Sequence, residues 1–254
     1  MFPPKIKLSY YSIITNKNKN KNKFLSNTII KEFIIKKLSG GIEMKKVISV
    51  LTSILITLSM ASNVKASVQT ASMSTKSYII QDGDSMWYIC NKFQVGISEV
   101  ISINPQVSDP NMIYSGSTLK IPNLDDVKAI ENQVITLVNI ERSKVGLSEL
   151  KANWQLSRVA RYKAEDMRDM NYFSHTSPNY GSPFDMIKNF GISFSAAGEN
   201  IAMGQQTPTD VMTSWMNSTG HRQNILGASY TEIGVGICKS SDGSIYWVQQ
   251  FIGR

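Results

Sequence analysis

The chain has 254 residues, of which 42% are hydrophobic, and its formal net charge of +8 would favour an anionic partner such as nucleic acid or a membrane surface. The charge is concentrated at one end, because residues 1–43 contain nine lysines and two glutamates and residues 44–66 contain three lysines and no acid. These segments contribute +10, so residues 67–254 carry a net charge of −2, and nothing in the sequence resembles a phosphate-binding loop or a nucleic-acid reader.

Residues 44–66 have the layout of a secretory signal peptide. Two lysines follow Met44, an apolar run extends over residues 47–60, and small residues precede the expected cleavage site after Ala66. A transmembrane anchor is the alternative, but it needs roughly 20 apolar residues and this run is shorter. We therefore expect a secreted chain without a membrane span. Because a signal peptide begins at the N-terminus, we also expect translation to start at Met44 and residues 1–43 to be a wrongly assigned upstream extension.

The next part of the chain predicts a small domain with the order strand, helix, helix, strand. A spacer rich in Ser and Thr covers residues 67–76, and the domain itself covers residues 77–122. Apolar residues 78–80 are typical of a short strand, and Asp84 or Ser85 can cap the helix that follows. A second helix ends before "NP", and "STLKIP" predicts the closing strand.

The motifs "GDSMW", "INP" and "IYSGSTLKIP" resemble the lysin motif (LysM) domain over the whole length of this segment. The resemblance implies binding of peptidoglycan or another glycan that contains N-acetylglucosamine. In that family, the loop after the first strand and the loop before the second form the binding groove. The matching residues here are Gly83, Asp84, Ser85 and Met86 in one loop, and Met112, Ile113 and Tyr114 in the other. We expect Trp87 and Ile113 to contribute mainly to the core.

Residues 123–129 form a short linker, and residues 130–254 predict helices that flank a sheet. Apolar residues recur at helical spacing after residue 127 and again in a helix that Asn153 can cap. "TPTDVMTSWMNS" predicts another helix, and two apolar runs around "SDGS" predict a β-hairpin. Cys90 in the first domain and Cys238 in this hairpin lie in apolar patterns, so we expect two small buried thiols rather than a disulfide.

The motifs "LVNIERSKVGL", "FSHTSP", "GENIAMG", "SWMNSTGHRQNIL", "EIGVG" and "YWVQQF" cover nearly all of residues 130–252. They resemble the bacterial branch of the CAP superfamily, named for cysteine-rich secretory proteins, antigen 5 and pathogenesis-related 1 proteins. The resemblance implies an α-β-α sandwich with a cleft where the loops meet. The predicted fold class is therefore α/β, with a CAP α-β-α sandwich preceded by a small βααβ LysM domain.

Both histidines of the chain fall in these motifs. In many CAP proteins the cleft holds two histidines and two glutamates, and the resemblance assigns His175, Glu199 and His221 to three of these positions. Ser218 occupies the place of the second glutamate, which weakens any function that needs two carboxylates. Two imidazoles and one carboxylate could bind zinc or another divalent metal. Alternatively, Glu199 orients an imidazole, or these groups only satisfy one another in a loop-rich region.

These patterns predict an exported protein of a Gram-positive bacterium, associated with the cell wall or spore envelope. The LysM domain would bind peptidoglycan, and the CAP cleft would hold a lipid or other small apolar ligand, a metal or a protein partner. One alternative is a metal-dependent hydrolase or peptidase acting at the cell wall, although no second carboxylate is evident as its general base. Another alternative is a purely structural component of the envelope or spore coat.

Overall fold

The computed structural model describes residues 74–254, which belong to one compact unit. The predicted upstream extension, the signal peptide and most of the spacer lie outside the described residues and stay predictions. Within the described part, no helix is both long enough and apolar enough to cross a membrane.

The first domain has the predicted order of elements, namely β1 (Thr75–Ile79), α1 (Met86–Phe93), α2 (Ile97–Ser102) and β2 (Thr118–Pro122). The two strands pair antiparallel, with Tyr78 opposite Leu119. Ser85 caps α1 by accepting a hydrogen bond from the Tyr88 amide, which satisfies one of the free amides at the start of the helix. Gly83, in the turn before this cap, has a φ of +83° that favours glycine.

The structure corrects two expectations about helix α1. Met86 is only 3% exposed, because helical spacing places it with Ile89 and Cys90 on the face that packs into the domain core. Trp87, one position further round the helix, is 66% exposed. The Met86 side chain is therefore part of the core and is not available to a ligand, and the expected core position of Trp87 is wrong. Ile113 packs partly against the core, as expected.

The second domain contains α3 (Asp125–Ser143), β3 (Lys151–Ala152), α4 (Trp154–Asp169), α5 (Pro183–Asn189), β4 (Ala196–Met203), α6 (Pro208–Asn217), α7 (Thr219–Ile225), β5 (Glu232–Lys239) and β6 (Ile245–Gly253). The strand order in its sheet is β3-β5-β6-β4. Strands β5 and β6 form the predicted hairpin, and β6 also pairs antiparallel with β4. Asn153 caps α4, as the sequence predicts. The sequence did not predict β3 or β4 as strands.

Helices cover both faces of this sheet, which confirms the α-β-α sandwich. Helix α4 packs so closely on β5 that a Cβ atom added at Gly236 would lie 2.1 Å from the Arg161 backbone nitrogen. On the other face, α3 and α6 pack against a core that includes Trp215 and Trp247, both buried. Cys238 on β5 and Cys90 on α1 are buried free thiols, as expected.

Candidate functional site

Strand β4, an edge strand of the described sheet, carries Glu199 and contacts the segments that contain His175 and His221. Glu199 on β4 lies opposite Gln250 on β6, and Asn200 lies opposite Gln249. Residues opposite each other share a face of the sheet, whereas successive residues alternate between faces. Val248 and Ile252, which flank Gln250, pack with α4, so Glu199 faces the α4 layer.

Asn200 faces the other layer, since Trp247 and Phe251 on either side of its partner Gln249 pack with α3 and α6. The sequence predicted a cleft formed where loops meet. Glu199 and Asn200 instead project from the two faces of a strand, which fixes their positions more firmly than a loop would.

Glu199 holds His175 in place on the α4 side. The carboxylate is 6% exposed, its Oε1 lies 2.9 Å from His175 Nδ1, and its Oε2 accepts a hydrogen bond from Gln250 Nε2 at 3.0 Å. Because the Glu199 carboxylate is the acceptor, Nδ1 of the imidazole donates this hydrogen bond, and Nε2 is the ring nitrogen that faces away from Glu199. The His175 side chain is 51% exposed, so ligands can reach the ring.

A second polar group fixes the loop that carries His175. Asp166 on α4 accepts hydrogen bonds from Ser177 Oγ and Asn179 Nδ2, both at 2.6 Å, and from the Tyr172 hydroxyl. Lys163, which is fully buried, donates to Tyr172 Oη at 2.9 Å. Burial lowers the pKa of Lys163, and the negative charges of Glu199 and Asp166 oppose that shift.

Sequence reasoning did not single out these supporting residues, although one signal was available. Lys163 lies next to Ala164 in a helix whose other inward positions include Val159, Ala160 and Met167. A charged residue at an inward position needs a buried partner, which indicates a polar network at that place.

His221 belongs to the opposite layer, on helix α7. Its backbone oxygen accepts a hydrogen bond from Asn200 Nδ2 at 3.0 Å, and Asn224 Nδ2 donates to the Glu199 backbone oxygen and to Asn200 Oδ1. Burial, followed by the charge of nearby His175, lowers the pKa of His221, so its imidazole is neutral at pH 7. Ser218 is half-buried at the junction of α6 and α7.

The predicted three-ligand metal set is not present. In residues 74–254, no group of three or more His, Cys, Asp or Glu side chains is arranged to hold a metal ion. Each oxygen of Glu199 instead has a side-chain partner, His175 Nδ1 for Oε1 and Gln250 Nε2 for Oε2. The donor set that remains consists of two imidazoles, His175 and His221, the first of them oriented by Glu199.

Only some of the side chains predicted to form the glycan groove of the first domain are both exposed and free of other partners. Met112 is 60% exposed and Tyr114 is 65% exposed on the loop before β2. Asp84 accepts hydrogen bonds from the Gln81 amide and the Tyr78 hydroxyl, which together lower its pKa, so its carboxylate braces the turn. Ser85 is committed to capping α1.

The structure thus defines a βααβ domain followed by an α-β-α sandwich with a His–Glu pair and a second histidine at its edge strand. The LysM family model matches residues 78–122, and the model described as "Cysteine-rich secretory protein family" (CAP) matches residues 135–251. The chain therefore contains a LysM domain followed by a CAP domain.

Relatives of this chain include proteins of Bacillus subtilis (strain 168). YkwD is 58% identical over 128 residues, which cover 50% of this chain and 49% of that protein. The membrane protein YlbC is 33% identical over 174 residues, which cover 65% of this chain and 49% of YlbC. This chain spans about half the length of these curated relatives.

Among solved structures, an extracellular protein containing a SCP domain from Bacillus anthracis str. Ames is 36% identical, with a TM-score of 0.46. The match covers 55% of this chain and 47% of that chain.

Proposed function

We propose that this protein is exported and associates with the cell wall or spore envelope, where its LysM domain binds a glycan containing N-acetylglucosamine, such as peptidoglycan. The CAP domain then presents its cleft to a ligand at that surface. The exposure of Met112 and Tyr114, two positions apart on one loop of a small domain, is the observation that carries this proposal.

Sugars combine polar hydroxyl edges with apolar ring faces. An exposed Tyr ring and a flexible Met side chain supply apolar contact area, and the Tyr hydroxyl supplies a polar end. Exposed apolar groups that lie close together on a small soluble domain are typical of a binding surface. Trp87, which the sequence analysis expected in the core, is also exposed and adds a further aromatic side chain to the surface of this domain.

Sedimentation of the secreted chain with purified peptidoglycan tests this proposal. We expect Tyr114→Ala and Met112→Ala to reduce the bound fraction at least about tenfold, since each removes a large contact of a small interface. Phe184→Ala is the matched control, because Phe184 is a 42% exposed aromatic residue of the CAP domain. Unchanged binding in both LysM variants would contradict the proposed groove, and soluble N-acetylglucosamine oligomers should compete with the wild type.

For the cleft, we propose as a second candidate that His175 and His221 bind a divalent metal such as zinc, with Glu199 orienting His175. The supporting observation is the hydrogen bond between Glu199 Oε1 and His175 Nδ1, an arrangement that fixes the tautomer and raises the basicity of a metal-binding imidazole. The lowered pKa of His221 keeps its ring in the neutral form that a metal requires. Two protein ligands leave positions for water or an external ligand.

Calorimetric titration with zinc tests the second candidate. The chain has two histidines, so His175→Ala combined with His221→Ala removes every imidazole from it. We expect heat of binding in the wild type, weaker binding in each single variant and none in the double variant. Glu199→Gln keeps an acceptor for His175 but removes the charge, and it should weaken zinc binding by about 10–100-fold. Absence of heat in the wild type would refute this candidate.

A further inference from the structure

A bidentate ion pair joins the LysM domain to the CAP domain. Arg158 on α4 donates from Nε to Glu99 Oε1 at 2.5 Å and from Nη2 to Glu99 Oε2 at 3.0 Å. Its Nη2 also lies 3.0 Å from Ser98 Oγ. Glu99 and Ser98 belong to α2 of the LysM domain, so the guanidinium group contacts both domains at once.

This ion pair is largely shielded from water. The Arg158 and Glu99 side chains are 18% and 23% exposed, and the guanidinium lies over the rings of Tyr162 and Phe190 at 5.2 and 5.3 Å. Burial alone would raise the pKa of Glu99, but the hydrogen bonds and charge of Arg158 hold it below its usual range. A planar, bidentate pair of this kind also restricts orientation, unlike an exposed ion pair of flexible side chains.

Further contacts restrict the joint between the domains. Lys128 on α3 donates to the Phe93 backbone oxygen at the end of α1, at 2.6 Å. A Cβ atom at Gly96 would lie 2.0 Å from Glu99 Oε2 and 2.4 Å from the Arg158 guanidinium, so a larger residue there would have to displace the two paired side chains. Two residues separate β2 from α3, which leaves little chain for independent rotation.

We propose that Arg158 locks the LysM and CAP domains into one rigid body, so that the exposed Met112–Tyr114 loop keeps a fixed orientation relative to the His175–His221 cleft. The LysM domain is then an orienting element and not a mobile tether. This inference rests on the contacts between the domains and does not depend on what either domain binds.

Nuclear relaxation of the backbone amides in the secreted chain tests the inference. In the wild type we expect both domains to report one common rotational correlation time. In Arg158→Glu, the reversed charge faces Glu99, and we expect the LysM amides to report a shorter correlation time than the CAP amides. The exchanged pair, Arg158→Glu with Glu99→Arg, should restore the common value.

Two other variants keep the test decisive. Gly96→Val inserts a side chain against the guanidinium and should separate the correlation times without changing any charge. Arg254→Glu removes a comparable ion pair, with Glu232 inside the CAP domain, and should leave the common correlation time unchanged. Two correlation times in the wild type, or one in both Arg158→Glu and Gly96→Val, would overturn the inference. If Arg158→Glu does not fold, Glu99→Gln provides the same comparison from the LysM side.

Discussion

Glu131 offers a test of how burial controls stability in the CAP domain. Its side chain on α3 is 3% exposed, Oε2 lies 2.7 Å from Arg161 Nη1, and Oε1 has no hydrogen-bond partner among the described residues. It borders a cavity of about 130 Å³ between α3 and α4, with Lys128 and Gln94 in the cavity wall. Burial raises the pKa of Glu131 to about 7, although Arg161 opposes this change.

The sign of the pH dependence follows from this raised pKa. Between about pH 4.5 and 7, Glu131 is ionised in the unfolded chain but keeps its proton in the folded protein. Its contribution to the free energy of unfolding therefore falls as pH rises through this window and stays constant above pH 7. The full change across the window corresponds to about 3 kcal/mol.

Glu131→Gln removes the ionisation but keeps an oxygen that can accept from Arg161. We expect the free energy of unfolding of the variant, minus that of the wild type, to increase by about 3 kcal/mol as the pH rises from 4.5 to 8. Urea unfolding at several pH values measures this difference. Subtracting the wild-type free energy of unfolding at each pH removes the pH dependence that other titrating groups contribute to both proteins. One of these is His221, whose lowered pKa makes stability rise with pH below 6.5.

Glu141→Gln is the control, because Glu141 pairs with Lys144 at the surface. We expect its difference from wild type to stay within about 0.5 kcal/mol at every pH. Parallel curves of unfolding free energy against pH for Glu131→Gln and the wild type, from pH 4.5 to 8, would contradict this prediction. They would mean that the attraction of Arg161 cancels the effect of burial on the pKa of Glu131.

Three other predictions concern the sheet and the cleft. Gly236→Ala should lower the free energy of unfolding by about 1–3 kcal/mol, because the new methyl group overlaps α4. In Gly220→Ala, on α7, the new methyl group meets no atom within 4 Å, so this variant should raise the free energy of unfolding by about 0.5–1 kcal/mol. Thermal unfolding that shifts equally in both variants would contradict the close packing of β5 on α4. Asn200→Ala should cost about 1–3 kcal/mol, measured by urea unfolding, because it leaves buried partners unpaired. Ser218→Glu adds a carboxylate three residues before His221 and should raise zinc affinity about tenfold by calorimetry, and an unchanged affinity would place residue 218 out of reach of the ion.

Sequence patterns predicted most of the architecture, and the errors have local physical causes. In α1, Met86 and Trp87 are both apolar neighbours at the start of an eight-residue helix, too short for periodicity to show which one faces inward. Strand β4 was missed because "AAGENIAM" contains Gly, Glu and Asn, which have low β-propensity. Its buried polar residues are satisfied by Gln249 and Gln250, about 50 positions later in the chain, and no local pattern reveals such partners.

The missed strand explains how the segments that carry the two histidines are held in place. Because neighbouring residues of a strand point to opposite faces, Glu199 engages the loop of His175 on the α4 side while Asn200 engages the His221 backbone in the other layer. The segments that carry the two histidines are therefore both attached to β4, one on each face of the sheet, and the register between β4 and β6 fixes which residue faces each layer. A slip of one residue in that register would exchange the two faces and break both connections. Substitutions that disturb the pairing of β4 should thus affect the two histidines together, whereas loop substitutions should affect one at a time.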